Sequence, residues 1–156
     1  MIKVKIIAIG KDKDKWVTEG QQHYSKLLSR FAKLESIYIP SPKLSSSLTP
    51  LEIKKKEAEL FEKQIDSSKF IALADSGIYY NSIAFSRQLE KFVSSSAGQL
   101  IFLIGGAHGI DDNLLSKASV KLSLSPLTFS HQLVRLVLLE QLYRAFSISH
   151  NTDYHK

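Results

Sequence analysis

The sequence predicts one α/β domain over residues 1–156, with a mostly parallel sheet of five to six strands and helices on both faces. The chain has 156 residues, which is the length of a single domain. Short apolar runs alternate with longer amphipathic segments, as expected for strands that alternate with helices. A composition of 44% hydrophobic and 23% charged residues excludes a disordered or fibrous chain.

The first elements are predicted from hydrophobic spacing and from the residues that end them. Residues 2–9 form an apolar run closed by Gly10, which favours a strand followed by a turn. Residues 14–31 carry apolar side chains on one broad helical face. A second strand is predicted at 34–39, because Pro40 ends the run.

A turn-rich loop at 41–50 leads into a charged helix. Thr49 is a good N-cap and Pro50 suits the first helical turn, so the helix is predicted to begin here and to run to Ile65. Four lysines and four glutamates lie between residues 52 and 63. They predict a solvated helix face with opposite charges paired four residues apart.

The second half repeats the same alternation. Five strands separated by helices favour a buried, mostly parallel sheet, and ligands of such sheets bind at the carboxyl ends of the strands. The predicted elements are a strand at 70–74 followed by Asp75-Ser76-Gly77, a helix at 82–93, a strand at 100–104, a short helix capped by Asp111 or Asp112 and ending near Ala118, a strand at 120–125, and a helix at 130–146.

Charge and cysteine content narrow the function classes. Lys and Arg number 21 against 15 Asp and Glu, a net charge of +6, which favours encounters with polyanions such as RNA but equally fits a merely soluble basic protein. The absence of cysteine excludes disulfides, thiolate metal sites and a cysteine nucleophile. The opening residues do not form a secretory signal and no apolar run reaches membrane-span length, so we expect a cytoplasmic protein without a membrane partner.

Two segments at strand ends are candidates for ligand binding. Gly105 and Gly106 follow a buried strand, and they allow either close approach of a ligand to the backbone or only a tight turn. Residues 123–132 carry no charge before His131. This uncharged stretch is typical either of a wall around an apolar ligand or of a buried connector.

The last predicted helix is apolar around nearly its whole circumference. Such a helix is either buried within the fold or packed against a second subunit, which favours a homodimer. His131 and Arg135 lie four residues apart near its positive end, where they favour an anionic RNA group. The alternative is that Arg135 forms an ordinary salt bridge at an interface.

The chain ends in a polar tail that contains Tyr154 and His155. C-terminal tails are usually frayed and inert. Tyrosine and histidine among other hydrogen-bonding residues favour a functional tail instead. The histidine spacing matches no standard zinc site, so no metal site is predicted.

Three segments together resemble a known family: LIGGAHG at 103–109, SLSPLTFSHQLVRLVLLEQLYRAFSI at 123–148, and NTDYHK at 151–156. They are similar to the small SPOUT methyltransferases that methylate N3 of a pseudouridine in large-subunit ribosomal RNA. The resemblance implies a deep C-terminal trefoil knot, S-adenosylmethionine as cofactor, a homodimer, and ribosomal RNA within the assembled large subunit or 70S ribosome as substrate. The alternatives are another SPOUT RNA or tRNA methyltransferase, or a non-catalytic RNA-binding factor in ribosome assembly.

The resemblance also implies roles for individual residues. The chemistry of methyl transfer to N3 adds the residues expected to act on the substrate, which are His131, Arg135, Tyr154 and His155. The first two are expected to provide electrostatics and the last two to contact the base, while either a histidine or a water takes the N3 proton. The residues expected to line the cofactor are Leu73, Gly105, Gly106, Ser125, Pro126, Leu127, Thr128, Phe129 and Ser130.

Overall fold

The computed structural model describes residues 1–42 and 47–156. These ranges contain five strands and five helices. In chain order the elements are β1 (Ile2–Ile9), α1 (Lys15–Leu28), β2 (Ala32–Ile39), α2 (Pro50–Ile65), β3 (Ile71–Ile78), α3 (Ser82–Ser95), β4 (Gln99–Ile104), α4 (Asp112–Lys117), β5 (Val120–Leu122) and α5 (His131–Ser149).

The strands form one sheet in the order β2-β1-β4-β3-β5, and each pairing is parallel. Parallel neighbours require a crossover connection, which the intervening helices provide. The α/β class is confirmed, with five strands in the sheet. Because all strands run in the same direction, the carboxyl ends of β3, β4 and β5 lie at one edge, side by side.

Helices cover both faces of the sheet. Helices α1, α3 and α5 pack on one face, where Leu28, Phe85 and Leu138 are buried. Helices α2 and α4 pack on the other face, where Phe61 and Leu114 are buried. Strand β4 lies between two strands and beneath both helical layers, so its side chains are alternately buried in the two cores. This position explains why its sequence is apolar without alternation.

The predicted helix starts are confirmed at α2 and α4. The Glu52 backbone N–H donates to Thr49 Oγ1 at 3.2 Å, and the Thr49 N–H donates to the Glu52 carboxylate at 3.2 Å, which completes a capping box. The Asp111 carboxylate caps α4 by accepting from the Leu114 N–H. Of the predicted loop at 41–50, residues 43–46 lie outside the described residues.

Strand β3 is longer than the predicted segment 70–74. Both Leu73 and Ile78 pair with Leu122, so the residues between them form a bulge and the strand then returns to β5. Gly77 permits this return, because a Cβ there would lie 2.6 Å from the Lys121 carbonyl oxygen. The interpretation of Asp75-Ser76-Gly77 as the end of the strand is therefore wrong.

Two other elements are shorter than predicted. Strand β5 ends at Leu122 instead of residue 125, because the Ser123 hydroxyl donates to the Ser125 carbonyl at 2.8 Å and turns the chain. Helix α1 ends at Leu28 instead of residue 31. The Phe31 N–H donates to the Leu28 carbonyl at 2.9 Å in the turn that leads directly into β2.

Helix α5 extends to Ser149 and packs against α1 and α3. Leu138 and Leu142 are fully buried, whereas Leu136 and Val137 remain half-buried. The knot implied by the resemblance stays a prediction. In the described part of the chain, none of the helices combines the length and hydropathy needed to cross a bilayer.

Candidate cofactor pocket and catalytic residues

A cavity of about 500 Å³ opens where β3, β4 and β5 end, and we call it the strand-end cavity. Three segments form its walls: the bulge of β3, the glycine loop after β4, and the connection from β5 to α5. Ligand sites in parallel sheets lie at this edge because the loops that follow neighbouring strands converge there. The cavity therefore lies where the sequence predicts a ligand site.

The β3 bulge forms the first wall. Leu73 is the last residue before the bulge, and Ala74, Asp75 and Ser76 follow it along the cavity. The bulge turns these residues out of the sheet pairing, so their backbone and side chains face the cavity edge instead of a neighbouring strand.

The glycine loop, residues 105–109, forms the second wall. Gly106 and Gly109 face each other in an isolated antiparallel bridge, and the Gly109 N–H donates to the Gly106 carbonyl at 3.1 Å. Gly109 adopts a φ of +83°, a conformation that favours glycine. The loop is thus a compact turn that also exposes its backbone to the strand-end cavity.

The third wall runs from Ser123 to the start of α5. The Leu127 N–H donates to the Ser125 hydroxyl at 3.0 Å, which shapes the turn. Leu127 is 73% exposed and presents an apolar side chain to the cavity. Thr128 and Phe129 complete this wall.

The predicted cofactor residues largely converge here. Pro126 and Ser130 do not line the strand-end cavity, although their neighbours do. The Ser130 hydroxyl instead caps α5 by accepting from the Leu133 N–H at 3.3 Å. The predicted cofactor residues that do line the cavity are Leu73, Gly105, Gly106, Ser125, Leu127, Thr128 and Phe129.

The lining fits S-adenosylmethionine in size and chemistry. Leu73, Leu127 and Phe129 offer apolar surface for a purine ring, while loop backbone and the Ser125 and Thr128 hydroxyls offer hydrogen bonds. A buried carboxylate without a hydrogen-bond partner, described below, also lies behind the glycine loop. In its ionised form, this carboxylate would complement a cationic ligand.

His131 and Arg135 do not act from the same surface. His131 is exposed and lines the strand-end cavity at the first residue of α5. Arg135 is 5% exposed and lines a second cavity of about 300 Å³ beside α1, together with Tyr38. The sequence places both residues near an anionic RNA group, but in this chain the Arg135 guanidinium is buried and does not reach the surface that His131 occupies.

Arg135 is held by a buried ion pair. Its guanidinium lies 2.8 Å from the Asp12 carboxylate and donates to the Ile9 carbonyl at 2.5 Å. The Gln21 side chain donates to the same carboxylate at 2.7 Å. Burial, and secondarily the Asp12 charge, raise the pKa of nearby Tyr38 above its ordinary value. Arg135 thereby joins α5 to the end of β1 through an ion pair within one chain, whereas the alternative interpretation places such a pair at an interface.

The tail folds back onto the middle of α5. The Tyr154 hydroxyl donates to the Glu140 carboxylate at 3.1 Å, and Arg144 donates to the same oxygen at 2.6 Å. His155 Nδ1 lies 3.5 Å from the Arg144 guanidinium. Burial and the hydrogen bond to Glu140 raise the pKa of Tyr154, so it remains a neutral phenol at physiological pH.

The tail is distant from the strand-end cavity of its own chain. Glu140, which binds Tyr154, lies nine residues after His131 on α5. At ~1.5 Å per residue, this separation is about 14 Å along the helix axis. One chain therefore does not bring the four predicted catalytic residues together.

Sequence reasoning missed Glu57 in α2. Its side chain is buried, so the interpretation of the charged side of α2 as fully solvated is wrong at this position. The sequence contained a signal for this burial, because the apolar residues Ile53 and Phe61 lie four positions before and after Glu57 on the same helix face. Both are buried in the structure. The ion pair observed on the exposed side joins Glu62 to Lys117 of α4, not to a residue four positions away.

Comparisons with known proteins agree with this geometry. The sequence profile of the family described as "Predicted SPOUT methyltransferase" matches residues 2–155. A protein of Acetivibrio thermocellus named "Ribosomal RNA large subunit methyltransferase H" is 43% identical, and the match covers 99% of this chain and 100% of that protein. A protein of Enterococcus faecalis with the same name is 36% identical, with the same coverage of both chains.

Solved structures support the fold. A probable methylase family protein from Haemophilus influenzae superposes with a TM-score of 0.56 at 12% identity, covering 98% of this chain and 70% of that one. A probable methyltransferase from Bordetella pertussis gives a TM-score of 0.54 at 10% identity, covering 91% and 95%. With the profile match over nearly the whole sequence, these findings lead to one conclusion: the chain belongs to the SPOUT methyltransferase family.

Proposed function

We propose that this chain transfers a methyl group from S-adenosylmethionine to N3 of a pseudouridine in the RNA of the large ribosomal subunit. The observation that carries the proposal is the strand-end cavity, because the segments expected to hold the cofactor converge there. Full-length relatives named as large-subunit ribosomal RNA methyltransferases support the substrate class.

The strand-end cavity binds and orients the methyl donor. When bound, S-adenosylmethionine supplies an electrophilic methyl group on a positively charged sulfur. Leu73, Leu127 and Phe129 would hold its purine ring, and the backbone of Gly105 and Gly106 would bind it through hydrogen bonds. Catalysis then depends mainly on holding the methyl group in line with the acceptor nitrogen.

His131 handles the proton that must leave N3 of the base. N3–H of a uracil-type ring is a weak acid, and the His131 imidazole at the cavity is placed to accept its proton. His131 also begins α5, whose positive helix end stabilises negative charge on the ring oxygens. Arg135 contributes as a positioning residue, since its ion pair with Asp12 anchors this first part of the helix.

The tail of a partner subunit completes the site in a homodimer. Tyr154 binds Glu140, which lies about 14 Å along α5 from His131 in the same chain, and His155 contacts Arg144, which lies further still along the helix. A second copy is required to place these side chains at the strand-end cavity. The half-buried apolar side chains of α5, including Leu136 and Val137, favour such a contact.

The whole chain, residues 1–156, functions as one domain in the cytoplasm, where ribosomes are assembled. Each chain carries a net charge of +6, so a dimer carries twice that, +12. Such a small enzyme recognises the shape of the assembled large subunit or 70S ribosome more than an RNA sequence. We expect intact ribosomal particles to be far better substrates than a short naked stem-loop, and equal rates would contradict this.

A labelled-methyl assay on ribosomes that lack the modification tests the proposal. The expected result is label in large-subunit RNA, recovered after digestion as N3-methylpseudouridine. Label in another nucleoside or in transfer RNA would assign a different SPOUT activity. Absence of transfer, with no calorimetric binding of S-adenosylmethionine, would instead support a non-catalytic RNA-binding factor.

A further inference from the structure

Glu57 is a buried acid that forms no hydrogen bond. Only 3% of this residue is exposed, and neither carboxylate oxygen has a hydrogen-bond partner. Among residues 1–42 and 47–156, no ion pair includes it. Leaving such a group unpaired costs free energy, which a partner brought by a ligand can recover.

The carboxylate of Glu57 lies directly behind the glycine loop. A Cβ added to Gly106 would lie 2.7 Å from one Glu57 oxygen and 3.2 Å from the other. Gly106 itself lines the strand-end cavity, so only the thin glycine backbone separates the carboxylate from a bound ligand. Lys54, one turn earlier on α2, also lines the cavity, so this helix borders the site directly.

Burial alone raises the pKa of Glu57, since removal from water disfavours the charged form. A positive ligand beyond the glycine backbone favours the ionised form, because attraction between charges is strong where water is excluded. The methyl donor carries a sulfonium cation. After transfer the sulfur is a neutral thioether, so this attraction disappears with the methyl group.

We propose that Glu57 is a charge-selectivity residue of the strand-end cavity, which favours the cationic methyl donor over its neutral product. The proposal rests on the proposed function, in which this cavity binds S-adenosylmethionine. The carboxylate strengthens binding of the methyl donor before transfer and contributes less to binding of the product afterwards. It therefore favours product release. It also explains why a costly unpartnered carboxylate is placed behind Gly106.

Calorimetric titration with three ligands tests this role without requiring catalysis. The ligands are S-adenosylmethionine, S-adenosylhomocysteine, and sinefungin, which carries an ammonium group in place of the sulfonium. Glu57→Gln keeps the side-chain size and removes the charge. The matched control is Glu59→Gln, the same change at an exposed position of α2.

The expected result concerns ratios of dissociation constants. In Glu57→Gln, the preference for each cationic ligand over S-adenosylhomocysteine falls roughly three- to tenfold, while Glu59→Gln retains the wild-type preference. Equal loss of affinity for all three ligands, or no change, would assign Glu57 a purely structural role and overturn the proposal. If the wild-type protein binds none of the ligands, the proposed function itself fails.

A measurement of thermal stability shows whether Glu57→Gln changes the folding of the protein and not only its ligand preference. Without ligand, Glu57→Gln is expected to unfold at the same temperature as wild type or higher, because an unpartnered buried charge is removed. A clearly lower unfolding temperature would show that the carboxylate supports the fold and would contradict the proposal. Glu59→Gln again serves as the reference.

Discussion

Two adjacent glycines, Gly105 and Gly106, line the strand-end cavity, and a side chain added at each would contact a different kind of neighbour. A Cβ on Gly105 would lie 2.8 Å from the Gly109 carbonyl carbon, which is backbone and cannot move without reshaping the loop. A Cβ on Gly106 would meet the flexible end of the Glu57 side chain instead. The two positions therefore tolerate a methyl group unequally.

Substitution of each glycine by alanine tests this difference. Gly105→Ala is expected to weaken S-adenosylmethionine binding about tenfold or more, and Gly106→Ala to weaken it less, since Glu57 can shift. Calorimetry on the two variants measures the order of effects. A larger loss in Gly106→Ala than in Gly105→Ala would contradict the assignment of rigid and yielding neighbours.

The raised pKa of Glu57 predicts a pH-dependent stability difference. Its pKa in the folded state lies above the ordinary value of 4.5, so the folded state binds this proton more tightly than the unfolded chain does. The corresponding stability is present below pH 4.5 and is lost as the pH rises through the folded-state pKa. The free energy of unfolding of Glu57→Gln, measured relative to wild type, should therefore increase as the pH rises above 4.5.

Urea denaturation at several pH values measures this difference. Glu59→Gln provides the baseline for the same substitution in solvent. If the free energy of unfolding of Glu57→Gln differs from that of wild type by the same amount at every pH, the buried carboxylate does not titrate in this range, which contradicts the prediction.

Helix α5 connects the parts of the candidate site. Its first residue, His131, faces the strand-end cavity, and Arg135 is fixed one turn later by Asp12 and the end of β1. Its middle holds the tail through Glu140. The buried ion pair therefore determines where the His131 end of the helix lies relative to the sheet.

Removal of one partner from this ion pair should be costly. Arg135→Met leaves the Asp12 carboxylate buried without its charge partner, and the free energy of unfolding is expected to fall by about 3–5 kcal/mol. The control is Arg144→Met, whose ion pair with Glu140 is partly exposed and should contribute about 1 kcal/mol or less. Equal losses in the two variants, measured by chemical denaturation, would contradict the structural role of Arg135.

At the scale of the whole molecule, the strand-end cavity and the tail are separate in one chain. A variant lacking residues 153–156 retains the cavity, so we expect it to bind S-adenosylmethionine normally but to lose methyl transfer. Separate measurements of binding and transfer distinguish these effects. Transfer at the wild-type rate would remove the tail from the site.

Mixed dimers show which subunit supplies the tail. A tail-deleted chain, expected to lose transfer, is combined with a Gly105→Ala chain, expected to transfer poorly at limiting S-adenosylmethionine because its cavity binds the donor weakly. If the tail acts across the dimer, the mixed dimer contains one intact site, formed by the normal cavity of the first chain and the normal tail of the second. Restored transfer is expected, whereas continued inactivity, or a monomer in sedimentation analysis, would contradict the shared site.

Local residue pattern was sufficient for much of the fold. The apolar run of β4, the Thr49 and Pro50 start of α2 and the glycine loop were recognisable because each depends on neighbours along the chain. The element ends at β3 and β5 were predicted less well. Where these strands end depends on the pairing of Leu73 and Ile78 with one residue of β5. The hydrophobic spacing along a single segment carries no information about that pairing.

The sequence by itself determined the α/β class, the family resemblance, and the segments that line the strand-end cavity, because short-range hydrophobic spacing and motifs encode them. Only the tertiary structure decided that Arg135 is buried against Asp12, that Glu57 lies unpartnered behind Gly106, and that the tail rests on the middle of α5. These features arise from contacts between residues far apart in the chain. Burial and the loss of solvation then change what each charged group can do.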